Sequence, residues 1–363
     1  MTKKSAAALN GELKNLYSSF GYREYRMSGF EEYALYMENK NFLISDKIIT
    51  FNNLDGRLMA LKPDVTLSIV KNATPEKGVG KYYYSEAVYR PDRAGTEFKE
   101  VIQTGLEALG DVDAFTTAEA VELALETLSA TGAEFVLALS DVRFTEGLLS
   151  AAARDESIRA ELKDILSKKR AGDIPFAAAK YGFGSDIKLA LENVIALPEN
   201  AFEALDSARR FAFGLEAERA IEELKDIVCA FKGTRFEGNL QIDFSLTGNT
   251  RYYNGVLFSG YALGAAGAVL KGGRYDKLVD PAGSAGKGAV GFALYMNEIE
   301  KLTAPGSGAA DAVLLYPEGA PLSAVMKKAD ELRLGGLKVS VLPEKSFSGG
   351  REKVYIFGEG ENA

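Results

Sequence analysis

Histidine is absent from all 363 residues. That omission excludes Ser-His-Asp triads, imidazole general bases and histidine-ligated metal centres. Cysteine is scarce too. The single Cys229 permits neither an internal disulfide nor a zinc spacing, and its place in the helical pattern from Ile221 to Phe231 predicts a buried apolar residue. No stretch approaches the length of a membrane-crossing helix, and Met1 to Asn10 lacks the apolar run of a secretory signal, so a cytoplasmic location without membrane association is expected. Phosphate-binding signatures are wanting. The stretch Gly260 to Gly273 lacks G-x-G-x-x-G spacing after a strand, and Gly78-Val-Gly-Lys81 lacks the rest of a P-loop. Nothing calls for a metal or an organic cofactor. Basic side chains are outnumbered, 43 against 51, and the resulting net charge of −8 argues against a broad nucleic-acid footprint.

The 47% hydrophobic content is enough for a large domain and one or two smaller ones. Residues 5–20 predict a first helix with Leu9, Leu13, Leu16 and Phe20 on one face and Gly21 just past its end. Strands are expected at Ile48 to Phe51, Leu58 to Leu61, Tyr82 to Tyr89, Lys99 to Gly105, Leu240 to Leu246 and Tyr252 to Gly260. Thr116 opens an amphipathic helix through Leu128, with Glu119 at capping-box spacing. Residues 143–235 are rich in Ala, Leu, Lys and Glu with helical periodicity. Thr303 to Ala310 predicts a linker, followed by strand, helix, strand and strand at Ala312 to Tyr316, Leu322 to Leu334, Lys338 to Leu342 and Val354 to Phe357. The pattern predicts an α+β fold, an antiparallel sheet flanked by helices rather than a doubly wound one. The domain division expected is 1–142 with 236–303 as the core, 143–235 as a helical insertion, and 304–363 as linker and small α/β domain.

Lys81 to Gly110 carries the most chemistry. Tyr82, Tyr84, Ala87 and Tyr89 follow an imperfect strand alternation, Pro91 to Gly95 supplies a turn, and a second strand holds Val101, Gln103, Gly105 and Glu107. Residues two apart in a strand share a face, so Gln103 and Glu107 flank Gly105 on one surface, where the glycine is expected to lower the wall between an amide and a carboxylate. Taken alone, such a pair is more often solvated than ligand-binding.

Tyr89-Arg90, Phe98 and Gln103-Thr-Gly-Leu-Glu107 resemble motif 2 of the class II aminoacyl-tRNA synthetases in its histidyl form. Leu61-Lys-Pro-Asp-Val-Thr66 is similar to the family's LRPEGT-like segment. Tyr252-Tyr-Asn254 and Gly272-Gly-Arg-Tyr-Asp276 follow in the family's order, and Gly291-Phe-Ala-Leu294 resembles the opening of its last motif. Gly21 to Tyr25 with Phe30-Glu31 resembles motif 1, through which the class forms dimers, although Ser28 replaces its proline. The resemblance covers residues 12–302. It implies that 143–235 is the insertion between motifs 2 and 3, and that the roughly fifty residues beyond the linker, within 304–363, are a reduced anticodon-binding domain. The glycines ahead of Arg274 are expected to let strand backbone pass close to the ligand.

The departures bear on function. The arginine that opens the synthetases' RGLDYY-like segment is Gly248 here, the arginine of the last motif is replaced by Glu298, and the motif 2 loop arginine falls among Gly95, Thr96 and Glu97. One charge pair at about 4 Å and an effective dielectric near 20 is worth roughly 4 kcal/mol, and reversing its sign counts about twice. Adenylate chemistry depends on such cations, so amino-acid activation with ATP is not expected. The resemblance assigns Asp64, Thr66 and Gln103 to the α-ammonium of a bound histidine, Glu107 and Tyr253, with neighbouring Tyr252, to its imidazole, and Arg90 to its carboxylate. Arg251 has no family counterpart. A reach toward the ligand carboxylate and a plain solvated charge are equally open for it.

A synthetase-like body that keeps the residues for histidine and lacks those for ATP resembles the regulatory subunit family of the short-form ATP phosphoribosyltransferases, of histidine biosynthesis. The resemblance implies a non-catalytic chain that forms a homodimer within a hetero-oligomer containing a short catalytic subunit, with L-histidine as effector. The lack of histidine codons would then suit a protein needed when histidine is scarce. An active synthetase-like enzyme and a ligand-free scaffold are the alternatives.

Overall fold

The computed structural model describes residues 6–40, 43, 47–92, 95–283, 285–302, 310–347 and 353–358. The chain divides into two compact units, Met1–Leu302 and Thr303–Ala363.

The first unit opens with α1 (Ala6–Ser19), which buries Leu9, Leu13 and Tyr17 at four-residue spacing and ends at Gly21, whose φ of 82° favours glycine. β1 (Arg23–Glu24), β2 (Phe30–Glu32), α2 (Tyr33–Glu38), β3 (Thr50–Asn52) and β4 (Leu58–Leu61) follow, and β2, β4 and β3 form a small antiparallel sheet in that order. Then come α3 (Thr66–Ala73), the long hairpin β5 (Val79–Pro91) and β6 (Phe98–Gly110), α4 (Ala114–Ala130) and β7 (Phe135–Asp141). Six helices fill the expected insertion: α5 (Val142–Ala152), α6 (Glu156–Ser167), α7 (Ile174–Tyr181), α8 (Ser185–Ile195), α9 (Ala201–Ala208) and α10 (Leu215–Ala230). The chain returns through β8 (Leu240–Ile242), β9 (Val256–Ala262), β10 (Leu270–Arg274), α11 (Asp276–Val279), β11 (Gly288–Tyr295) and α12 (Met296–Leu302).

Eight strands make the main sheet in the order β1-β5-β6-β11-β10-β9-β7-β8. Its centre is antiparallel as expected. Both ends differ, because β1 pairs parallel with β5, and β8 pairs parallel with β7. Strand alternation sorts β6 between two cores. Leu106 and Ala108 join the α1 and α4 side, while Leu109 joins the α2 and α3 side, the face that also carries Gln103 and Glu107. Apolar residues of the insertion, such as Leu148, Leu162, Leu191, Leu205 and Leu224, belong to the same core as the sheet strands, so these helices do not build a core of their own.

Several expectations require correction. The strand expected at Tyr252 starts at Val256, because 252–255 turn back on Asn249 and Arg274; the one expected to reach Leu246 stops at Ile242. β7, β10 and β11 are strands that the sequence does not announce: FVLALSD suits a helix as well as a strand, and LKGGR and GAVGFALY are glycine-rich. α4 begins earlier than Thr116 and is capped by Asp113, whose carboxylate accepts from Thr116 N at 2.8 Å. Glu119 makes no capping box; it pairs with Lys81 at 2.6 Å. Cys229 is exposed, since the apolar stripe of α10 runs through Ile221, Leu224, Ile227 and Val228 instead.

The second unit holds β12 (Ala312–Tyr316), α13 (Leu322–Leu334), β13 (Val339–Pro343) and β14 (Lys353–Ile356), close to the expected bounds, with all strands parallel in the order β13-β12-β14. The expected linker lies outside the described residues except for Ala310, as do Arg93 and Ala94 of the expected hairpin turn.

Candidate ligand-binding cleft

A cleft of about 800 Å³ opens on the α3 side of the sheet and is lined by residues of β5, β6, β10, β11, the start of α3 and the turn before β9. Glu107 stands at its base, 2% exposed. Thr66, the first residue of α3, donates its hydroxyl to one carboxylate oxygen at 2.6 Å, and Tyr275 donates its phenol to the other. Burial pushes the Glu107 carboxyl up to about 8, against the lowering effect of the Thr66 and Tyr275 hydrogen bonds. At neutral pH this carboxyl carries a proton.

Local backbone makes the room. A Cβ on Gly291 of β11 would lie 1.7 Å from a Glu107 carboxylate oxygen and 2.3 Å from the Leu106 carbonyl. Gly105 serves the neighbouring strand rather than a ligand: its Cβ would fall 2.1 Å from the Phe292 carbonyl oxygen, so the expectation that it lowers a wall gives way to one of close strand pairing. The glycines ahead of Arg274 are explained similarly. A Cβ on Gly272 would meet the Gly291 carbonyl and the Phe258 ring at 2.5 Å, and one on Gly273 would meet the Tyr253 ring at 2.8 Å.

The other expected residues fall into place around this base. Asp64 is buried beside α3, accepting from Leu67 N at 3.0 Å and from Arg90 Nη2 at 3.0 Å. Burial raises its pKa, and the Arg90 guanidinium opposes that shift. Arg90 also donates to the Pro63 carbonyl at 2.6 Å, so much of its fork is engaged by the Lys62–Asp64 segment. Gln103 is buried in the lining, and its amide has no hydrogen-bond partner among the described residues. Tyr252 and Tyr253 complete one wall, with ring centroids 4.7 Å apart. Asp64, Thr66, Arg90, Gln103, Glu107, Tyr252 and Tyr253 thus share one cleft. Arg251 does not join them; it is exposed and absent from the lining.

Sequence reasoning misses three lining tyrosines. Tyr84 pairs across the hairpin with Gly105 and so shares the face of Gln103 and Glu107; Tyr295 pairs with Gln103; Tyr275 holds Glu107. The hairpin register is the available signal for Tyr84, and the Gly272 to Asp276 motif for Tyr275. Tyr275 is oriented by its flanks. Asn254 accepts from Asp276 N at 2.8 Å and donates to the Asp276 carboxylate at 3.1 Å, and the same carboxylate holds Arg274 Nε at 2.9 Å.

The charges at the mouth need a second correction. Glu298 lines the cleft, but it is paired with Lys301 at 2.7 Å, so its site is nearly neutral rather than repulsive. Lys99 and Lys271 also border the opening. Gly248, where the synthetases carry an arginine, has a φ of 55° and a Cβ position 3.4 Å from Leu257 and 3.5 Å from Tyr253, leaving no long cation there. Among the described residues, no group of three or more metal-ligating side chains is present and no helix is long and apolar enough to cross a membrane.

The family model of histidyl-tRNA synthetase matches residues 1–299. The chain belongs to the histidyl-tRNA synthetase family. Its fold is the class II synthetase-like one, a large mixed sheet flanked by helices with a small C-terminal sheet. An ATP phosphoribosyltransferase regulatory subunit from Moorella thermoacetica is 29% identical over 341 residues, covering 91% of this chain and 86% of the relative. Among solved structures, an ATP phosphoribosyltransferase regulatory subunit/histidyl-tRNA synthetase from Bacillus halodurans C superposes with a TM-score of 0.75 at 20% identity, covering 97% of this chain and 93% of that one. An ATP phosphoribosyl transferase (HisG:HisZ) complex from Thermotoga maritima matches with a TM-score of 0.64 at 16% identity, over 80% of this chain and 97% of that one. The two structural likenesses are likenesses of fold.

Proposed function

We propose that this family member is a regulatory subunit of ATP phosphoribosyltransferase that binds L-histidine in the cleft, has no catalytic activity of its own, and supports a separate short catalytic chain. The observation that carries the proposal is the Thr66–Glu107–Tyr275 cluster beside the Gln103 amide, unpartnered among the described residues, within a family whose arginine positions here hold Gly248 and Glu298. A buried carboxyl near 8 and an imidazole near 6.5 hold one proton between them near neutral pH, so a histidine side chain meets Glu107 with one donor and one acceptor matched, as an acid–imidazole hydrogen bond or, once the proton moves, as a charge-assisted carboxylate–imidazolium pair. Asp64 and Gln103 then face the ammonium. Arg90 meets the carboxylate with whatever Asp64 and Pro63 leave of its fork. The name of the Moorella relative and the two-chain complex from Thermotoga support the partner assignment. In this reading the chain acts in the cytoplasm as a homodimer within a hetero-oligomer, 143–235 and 304–363 being the synthetase-derived insertion and reduced C-terminal domain, with no role in nucleic-acid binding.

Reconstitution tests it. Mixed with the short catalytic chain of the same organism, the protein should raise phosphoribosyl transfer to ATP and make it sensitive to histidine; a catalytic chain indifferent to its presence sinks the reading. Lys99 and Lys271 at the mouth favour a second one, a synthetase-like adenylating enzyme. Histidine-dependent exchange of pyrophosphate into ATP decides for it, and the proposal expects none.

A further inference from the structure

The reverse side of the sheet carries a second concavity, about 990 Å³, between α4, α10 and the Arg274 side chain. Its apolar lining comes from Ala114 and Ala118 of α4 and from Leu215 and Ile227 of α10. Leu215 is 60% exposed, and Phe115, on the α4 surface between the two alanines, is 71% exposed. Apolar side chains at that exposure beside a groove of this size are characteristic of a protein-binding surface.

The charge of the groove says what binds. α10 carries five acidic side chains against two basic ones, and Glu218, Glu222 and Asp226 repeat every four residues along the face that begins at Leu215. The three cations in the lining are already committed: Arg209 to Glu222 at 2.7 Å, Arg219 to Glu216 at 2.7 Å, Arg274 to Asp276 at 2.9 Å. Glu218 and Asp226 have no ion-pair partner among the described residues. An apolar floor with two uncompensated carboxylates at its edge is complementary to a polypeptide segment presenting apolar side chains flanked by lysine or arginine.

We infer that the α4–α10 groove docks such a segment of the catalytic partner, which rests on the function proposed above. Arg274, the charged member of the lining nearest the cleft, links the two sites. Arg274 holds Asp276, Asp276 is bonded to Asn254, and the residue between Arg274 and Asp276 is Tyr275, which bonds Glu107 in the cleft. A segment seated on Arg274 therefore touches a network one residue from the ligand carboxyl.

The experiment is titration of the purified chain with the short catalytic phosphoribosyltransferase chain at low and at high salt. Three forms are compared: the wild type, Ala118→Arg, which fills the groove with a cation, and the double variant Glu218→Lys with Asp226→Lys. Met326→Glu, on the exposed face of α13, is the control. Both groove variants should bind at least tenfold more weakly while Met326→Glu binds as wild type does, and the wild-type affinity should fall with salt. Glu218, Asp226 and Met326 are exposed, so the double variant and Met326→Glu should melt as the wild type does; Ala118 packs partly against the core, and the double variant carries the test if Ala118→Arg melts lower. Wild-type binding with unweakened groove variants overturns the groove and leaves the functional reading intact. Failure of the wild type itself to bind overturns both.

Discussion

Glu107 ties the chemistry of the cleft to its stability. Its hydrogen bonds to Thr66 and Tyr275 satisfy a group buried to 2% exposure, and a ligand must meet it from the open side. Losing a hydrogen bond between two groups that share one proton costs roughly 1–3 kcal/mol, between the neutral and the charged case, so Glu107→Gln should weaken histidine binding about fivefold to a hundredfold. Gln103→Ala removes a neutral partner, and a loss nearer fivefold is expected, at about 1 kcal/mol. Titration of both variants checks this, and unchanged affinity in the pair would place the effector elsewhere. A pH dependence follows. Folding raises the Glu107 pKa from 4.5 to about 8, so the folded chain keeps a proton that the unfolded chain has lost. The stability this contributes is complete below about pH 4.5 and disappears as the pH climbs through about 8. Melting temperatures across that window should therefore fall more steeply for the wild type than for Glu107→Gln; equal slopes would mean that the carboxyl is charged in the folded protein.

Elements position these residues, and glycine decides how closely they approach. β11 lies so near β6 that Gly291→Ala puts a methyl 1.7 Å from a Glu107 oxygen. Either the strand or the carboxylate must move. Overpacking of that kind costs about 1–3 kcal/mol, and the urea midpoint should drop accordingly, together with histidine affinity; a variant with wild-type stability and affinity would show the strands to be more loosely paired. The same elements show where sequence reading succeeds. The β5–β6 hairpin is legible because alternating tyrosines and a turn-forming loop declare period two, and the second unit because its breakers separate short apolar runs. β7, β10 and β11 are not, since a Leu/Ala run suits helix and strand alike and glycines that permit close packing depress β-propensity. Of the cleft, Gln103 and Glu107 are legible by alternation. Tyr275 is not, because its role depends on a strand distant in sequence reaching Glu107. Arg251 illustrates the converse: adjacency in sequence to Tyr252 does not bring it to the lining.

The whole molecule combines a synthetase-like body with a cleft in which one arginine position is a glycine at a φ of 55° and another is a glutamate already neutralised by Lys301. The missing arginines alone do not decide against nucleotide, because Lys99 and Lys271 border the same opening. What distinguishes the histidine reading is the preserved base of the cleft. Calorimetric titration of L-histidine into the purified chain tests that base directly. One site per chain should appear, with a matching rise in melting temperature, and both should be strongly reduced in Glu107→Gln. If the wild type gives neither heat nor a thermal shift, the cleft is a relic and the protein is a scaffold.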